Sequence, residues 1–481
     1  MAMDVSKRVV EGSCWTCKKR RLKCDLTRPI CGKCLTSSSP CSYTSKQLQW
    51  VGGAAVRGRL KSMGPSTAFA DALRTRRASA PETGLVICNA TMMLPPSPCS
   101  ASPTLPASLL MYFRNAVWPR LQLSEHPIEL DDAMLIHEPV LLEAILAVSQ
   151  AHHHLLLASE NSCTVTPESQ NLEGARRSAL AKLRSRIECG TGSVEDARQL
   201  LEIVCIFCIL DGVISPGEDS DASEQHLRGG CSILAHWETV TSKMLLAGGL
   251  QAYLLTAFAT MDLVRSMLSG HRPFFEPTTW PMFAGVKAWW GDLACGDPFL
   301  ALLKTYSELA YIGSMVHSHL SSNEAHFLAE KCLPGLWLSL EVANMCASCP
   351  DFTTPEEWTA FCALYRAAAI VYIYRALQNR SIDDDSVQAV VRTAVSSLVD
   401  RPLAGMMTHC LILPLVVIGS HCLYTQDVRA ISCIIASSTS YLAFGNTILM
   451  TAFLENVWRH TEKKATWWDM FKPLSKNVFL F

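Results

Sequence analysis

The chain has 481 residues, 49% of them hydrophobic, and a formal net charge of −1, which is too long for a small disulfide-stapled secreted domain and ample for a large buried core. The near-neutral total hides a polarised chain: residues 1–80 carry 16 Lys or Arg against 4 Asp or Glu, and the remaining 401 carry 26 against 39. A basic N-terminal part points to nucleic acid, while an acidic remainder is suited to proteins or small molecules. The chain starts Met-Ala-Met-Asp-Val-Ser-Lys-Arg, without the apolar run of a secretory signal.

Six cysteines, Cys14, Cys17, Cys24, Cys31, Cys34 and Cys41, follow the spacing C-x2-C-x6-C-x6-C-x2-C-x6-C, which is one motif written twice. A Cys-x2-Cys pair grips one cation from the first turn of a helix, and a third sulfur six residues on closes most of a tetrahedral cage. Two four-coordinate zinc ions need eight ligand positions, and six sulfurs supply them only if two sulfurs bridge. A binuclear cluster with two structural zinc ions follows, with no coordination position left for a catalytic water. Between Cys17 and Cys24 the chain reads Lys18-Lys19-Arg20-Arg21-Leu22-Lys23. Six thiolates and two zinc ions leave a net charge of about −2, and five cations exceed what that requires. The surplus fits a polyanion whose phosphates Lys and Arg neutralise, and arginine also forks onto guanine in the major groove.

The segment Cys14–Cys41 closely resembles the fungal Zn2Cys6 binuclear cluster DNA-binding domain. The resemblance implies that Cys14 and Cys31 bridge both metals, that Cys17 and Cys24 complete one site, and that Cys34 and Cys41 complete the other. It also implies that Arg20 and Arg21 read a CGG-type triplet in double-stranded DNA, with Lys18, Lys19 and Lys23 on phosphate. Pro29 sits where the family carries a turn proline that is often cis. A disulfide framework and a zinc module for protein or RNA are the competing readings of the same cysteines.

Residues 46–106 read as a linker, basic at Lys46, Arg57, Arg59, Lys61, Arg74, Arg76 and Arg77 and then rich in Pro and Ser from Pro95 to Pro106. These cations suit phosphate contacts, nuclear import or a solvated tether. No sustained heptad follows the cluster, which leaves monomeric binding or a homodimer through the large domain open. From residue 107 to 481 helix follows helix: Val140–Leu157 has a broad apolar face, Leu172–Ile187 is amphipathic, and Leu227, Cys231, Leu234 and Ala235 recur at helical spacing. This part resembles the fungal-specific transcription factor domain in His137–His152, Glu224–Leu234 and Phe258–Phe275. The expected fold is mostly α, with a small Zn2Cys6 domain at 1–45, the linker, and a large all-α regulatory domain.

Met244–Met261, Pro402–Tyr424 and Ile431–Leu454 are uncharged, but their Ser, Thr, His and Pro content suits helices buried in a large bundle better than a membrane. His152-His153-His154 point about 100° apart on a helix and cannot share one ion, and Cys205, Cys208, Cys346 and Cys349 read as core residues. The acidic stretch from Asp211 to Glu224 reads as a solvated loop. It and Asp383-Asp384-Asp385 are alternatively surfaces for transcriptional machinery. With no Gly-rich phosphate loop, His-Glu-x-x-His or Gly-x-Ser-x-Gly elbow, the chain reads as no enzyme. The expected function is a nuclear, zinc-dependent, sequence-specific transcription factor for RNA polymerase II genes of a specialised-metabolite or nutrient pathway, gated by a partner or small-molecule effector. The alternative is a co-regulator working through its helical domain, with only nonspecific DNA affinity.

Overall fold

The computed structural model describes residues 13–41, except 15, 18, 19, 21, 29 and 38–40, and residues 105–479, except 125, 132–134, 136, 161–167, 191, 217–221, 319–322, 345–348, 401, 402, 404, 405, 461–464 and 476–478. Pro29 and nearly all of the 46–106 stretch lie outside the described residues. The chain divides into two compact units, Met1–Gly53 and Ala54–Phe481. The first holds a short helix, α1 (Gly32–Thr36), whose N-cap is Cys31.

The described residues of the second unit are mostly helical and contain no strand, only an isolated bridge between Ala288 and Gly291. It opens with α2 (Leu105–Tyr112), α3 (Pro139–Glu160), α4 (Glu168–Glu188), α5 (Val194–Ile209), α6 (Ala222–His236), α7 (Thr239–Ala247) and α8 (Gly249–Ser269). After a turn-rich stretch come α9 (Pro298–Ser318), α10 (Asn323–Asn344), α11 (Pro355–Tyr372), α12 (Asp385–Asp400), α13 (Met406–His409), α14 (Ile412–Ser420), α15 (Thr425–Leu442), α16 (Gly445–Arg459) and α17 (Trp467–Ser475). The expected helices at Val140–Leu157, Leu172–Ile187 and Leu227–Ala235 are α3, α4 and part of α6.

Three helices are buried on nearly every side: α5 from Leu200 onward, α8 along most of its length, and all of α14. A helix apolar all round must sit at the centre of a large core, and α8 accordingly packs on α5, α7, α9 and α17. Its neighbour α6 carries Gly229 and Gly230 mid-helix, where glycine costs about 1 kcal/mol relative to alanine. Packing explains the second of them. A Cβ on Gly230 would stand 2.4 Å from the Phe258 ring, so the glycine leaves room for that side chain of α8.

None of the three uncharged stretches forms one continuous helix. Met244–Met261 is broken between α7 and α8 at Gly248 and Gly249, both at positive φ. Pro402–Tyr424 contributes α13 and α14, four and nine residues long. Ile431–Leu454 is broken at Ala443, φ 51°, between α15 and α16. Pro414 falls in the first turn of α14, where a missing N–H costs no hydrogen bond. Two other helices, Pro139–Leu157 and Pro355–Leu377, are long and apolar enough to cross a membrane, and 44% and 67% of their most apolar windows are buried inside the protein.

Arg375 and His421 form a paired polar group in this buried interior. Arg375 donates through Nε to His421 Nε2 at 3.2 Å and through Nη2 to the Ala465 carbonyl at 2.9 Å. That fixes the His421 tautomer, with Nδ1–H directed to the Val417 carbonyl at 2.7 Å. Burial, then the Arg375 charge, push the imidazole down to about 3. Gly230→Ala tests the close packing. Overpacking at about 1–3 kcal/mol outweighs a helix-propensity gain of about 1 kcal/mol, so the thermal unfolding midpoint of the helical unit falls; a rise would refute the account.

Candidate metal centre and nucleic-acid interface

The described part of the N-terminal unit has sulfur where other domains have aliphatic side chains. Cys14, Cys17, Cys24, Cys31 and Cys34 are 0–4% exposed, with Cys41 packed against them. Leu22, Leu26, Ile30 and Leu35 are 37–68% exposed. The two halves build this interior the same way. Cys14 precedes a helical turn at Thr16 and Cys17, and the Cys17 amide donates to Cys14 Sγ at 3.4 Å. At the start of α1 the Cys34 amide donates to Cys31 Sγ, also at 3.4 Å. Each leading sulfur therefore takes the position of a helix N-cap acceptor.

Sulfur separations of 3.7 Å for Cys14–Cys31 and 3.6 Å for both Cys14–Cys34 and Cys17–Cys31 are far beyond a disulfide bond of about 2.05 Å. They match the edge, about 3.8 Å, of a tetrahedron of thiolates around zinc at about 2.3 Å. Two four-sulfur sets converge, Cys14, Cys17, Cys24 and Cys31 in one and Cys14, Cys31, Cys34 and Cys41 in the other. The sets share Cys14 and Cys31, so the sulfurs outline two tetrahedra with a common edge. That donor set fits two zinc ions.

Protonation follows the same division. Burial raises the Cys14 and Cys31 thiols, but amide donors from Cys17 and Cys34 and the adjoining sulfurs outweigh it, leaving both below the ordinary thiol value. Burial pushes Cys17 up and Cys34 up to about 12.

Asp25, absent from the sequence reading, joins the halves. Its carboxylate accepts from the Gly32 amide at 2.8 and 3.1 Å and from Thr27 Oγ1 at 3.1 Å. The Gly32 N–H chiefly holds it below the usual carboxylate range. A Cβ at Gly32 would lie 2.7 Å from Asp25 Oδ2, which accounts for the glycine. Its only sequence signal was an acid directly after one ligand and a glycine directly after another.

Lys18, Lys19 and Arg21 lie outside the described residues. Arg20 and Lys23 are exposed. Arg20 donates through Nη1 to Ser37 Oγ at 2.8 Å, and Ser37 Oγ donates to the Lys33 carbonyl at the end of α1. The guanidinium therefore spans from the first half to the second.

Other groups singled out in the sequence belong to packing. His152 is buried, with Nδ1 on Tyr112 Oη and Nε2 on the Leu442 carbonyl, both at 2.8 Å, and burial pushes it down to about 4. Cys205 and Cys208 are core thiols raised far above their ordinary value by burial; Cys346 lies outside the described residues. Asp211 is not in a solvated loop: it is fully buried between Arg176 and His226, at 2.9 Å from each. Glu218, Asp219 and Asp221 lie outside the described residues. Asp384 accepts from the Ser386 amide at 2.9 Å at the start of α12.

A family model described as the fungal Zn(2)-Cys(6) binuclear cluster domain matches residues 12–50, a segment containing six cysteines. A second, the fungal specific transcription factor domain, matches residues 108–481. Arginine metabolism regulation protein II of Saccharomyces cerevisiae is 46% identical over 37 residues, covering 8% of this chain and 4% of that protein. No solved structure matches. Two zinc ions are the cofactors of the matched cluster domain. Metal analysis of single-cysteine variants separates the shared positions from the others: Cys14→Ala or Cys31→Ala removes both zincs, whereas Cys24→Ala or Cys41→Ala leaves measurable metal. Equal losses from all four would refute the shared edge.

Proposed function

This chain belongs to the fungal specific transcription factor domain family, and from that membership we propose that it is a zinc-dependent, sequence-specific regulator of RNA polymerase II genes acting in the nucleus. That it is a DNA-binding transcription regulator rests on the two matched domains. The observation that carries the finer reading is the pair of four-sulfur sets sharing Cys14 and Cys31, with a cationic segment between Cys17 and Cys24.

In this reading all six cysteines hold the metals, which supply the cross-link that an apolar core would otherwise provide. Residues 1–45 form the DNA-binding domain, 46–106 the tether and 107–481 the regulatory domain. Arg20 and Arg21 reach base edges, and Lys18, Lys19 and Lys23 neutralise phosphates. Ser37 supports the assignment for Arg20, because a guanidinium already held across the cluster has less side-chain freedom to lose on binding. Target genes in a specialised-metabolite or nutrient pathway fit such a regulator. The arginine metabolism of the yeast relative does not carry over, since the likeness spans 4% of that protein.

Selection of bound DNA from a random pool with the zinc-loaded full chain tests the proposal. A CGG-containing site is enriched, and the enrichment disappears with chelator. Arg20→Ala with Arg21→Ala abolishes it as well, each lost arginine–guanine contact costing about 1–3 kcal/mol of discrimination. Binding without any enriched sequence, falling only as salt rises, would replace this reading with a co-regulator acting through the helical domain.

A further inference from the structure

Four elements of the helical unit, α6, α8, α9 and α17, surround a cleft of about 510 Å³. This volume suits a small molecule. On its wall Glu224 Oε1 is shared by two guanidiniums, Arg228 Nη2 at 2.5 Å and Arg265 Nη2 at 2.7 Å. Lys472 of α17 adds a third cation, while Asp469 already accepts from Thr466 Oγ1 at 2.6 Å. The cleft thus carries one net positive charge before either of its histidines titrates.

The positive field registers on His271, which burial and then the Arg265 charge hold below its ordinary value. Two of the lining residues also carry donors without a partner. Arg265 Nε and Trp468 Nε1 are buried without an acceptor, a state that costs about 1–3 kcal/mol per group. The Trp468 ring packs on His317 with centroids 4.7 Å apart. That placement of His317 requires Gly270, φ 74°, where a Cβ would stand 2.5 Å from the imidazole.

We propose that this cleft binds a small organic anion, carrying a carboxylate or phosphate group, as the effector of the helical domain. Arg228, Arg265 and Lys472 hold the anionic group by charge-assisted hydrogen bonds, and the Glu224 carboxylate accepts from a hydroxyl or amino group of the ligand. The effector role rests on the regulatory reading above; binding of the anion does not.

Calorimetric titration of the full chain with citrate, and separately with inorganic phosphate, at ionic strength held constant with chloride, tests the site. Saturable binding of at least one probe is expected; citrate alone assigns a carboxylate ligand and phosphate alone a phosphorylated one. Arg228→Ala with Lys472→Ala weakens binding by at least about tenfold. Both side chains are exposed, so the double variant keeps the wild-type melting temperature. Saturation by neither anion, or equal affinity in the double variant, overturns the proposal. Titration of the Arg20→Ala, Arg21→Ala protein separates the two readings: anion binding persists there even if DNA selection fails.

Discussion

A sulfur interior is the constraint that shapes the N-terminal unit, because its described residues bury sulfur and leave their leucines and isoleucine at the surface. Hydrophobic burial cannot hold so short a segment. Gathering six thiolates within a few ångströms without a cation would set like charges side by side. A cation bound among the sulfurs would make them compatible and close the fold, joining metal binding and folding in one event. The groups around the cluster serve that event: two leading sulfurs accept amides at the helical turns, and Asp25 ties one half to the amide of Gly32 in the other.

The helical unit works by the opposite principle. Its centre is a set of helices with hardly a polar face, and some of the polar groups drawn inside have specific partners. Asp262 on α8 accepts the amides of Phe274 and Phe275 at 2.7 and 3.1 Å, which stops the chain after the helix. Burial raises this carboxyl to about 6. Because α8 is fixed on all sides, Arg265 near its end is fixed too, and the cleft inherits its charge from a rigid element. A site that discriminates small anions needs that rigidity, since ordering loose side chains costs free energy on binding.

Legibility differed sharply between the two kinds of feature. The cysteine repeat could be read because ligand count and spacing are local properties, and the structure brings all six sulfurs together in two sets sharing the first cysteine of each half. Helix positions in the large unit could be read from periodicity. Uncharged length misled in one respect: positive-φ turns at Gly248, Gly249 and Ala443 break runs that composition alone leaves continuous. Asp211 misled in another, because nothing near it in sequence announces Arg176, and the ion pair forms only when α4 packs against α5.

Sequence by itself determined the binuclear sulfur set, the basic segment beside it and the helical character of residues 107–481, because these follow from spacing, charge and periodicity along a few turns of chain. Tertiary structure alone decided that Arg20 reaches Ser37, that His152 is a core residue, and that Arg228, Arg265 and Lys472 face one cleft. Those groups meet partners up to 290 residues away, and no local rule registers them. Their encounter depends on how buried helices pack, and that is fixed by close contacts such as Gly230 on Phe258.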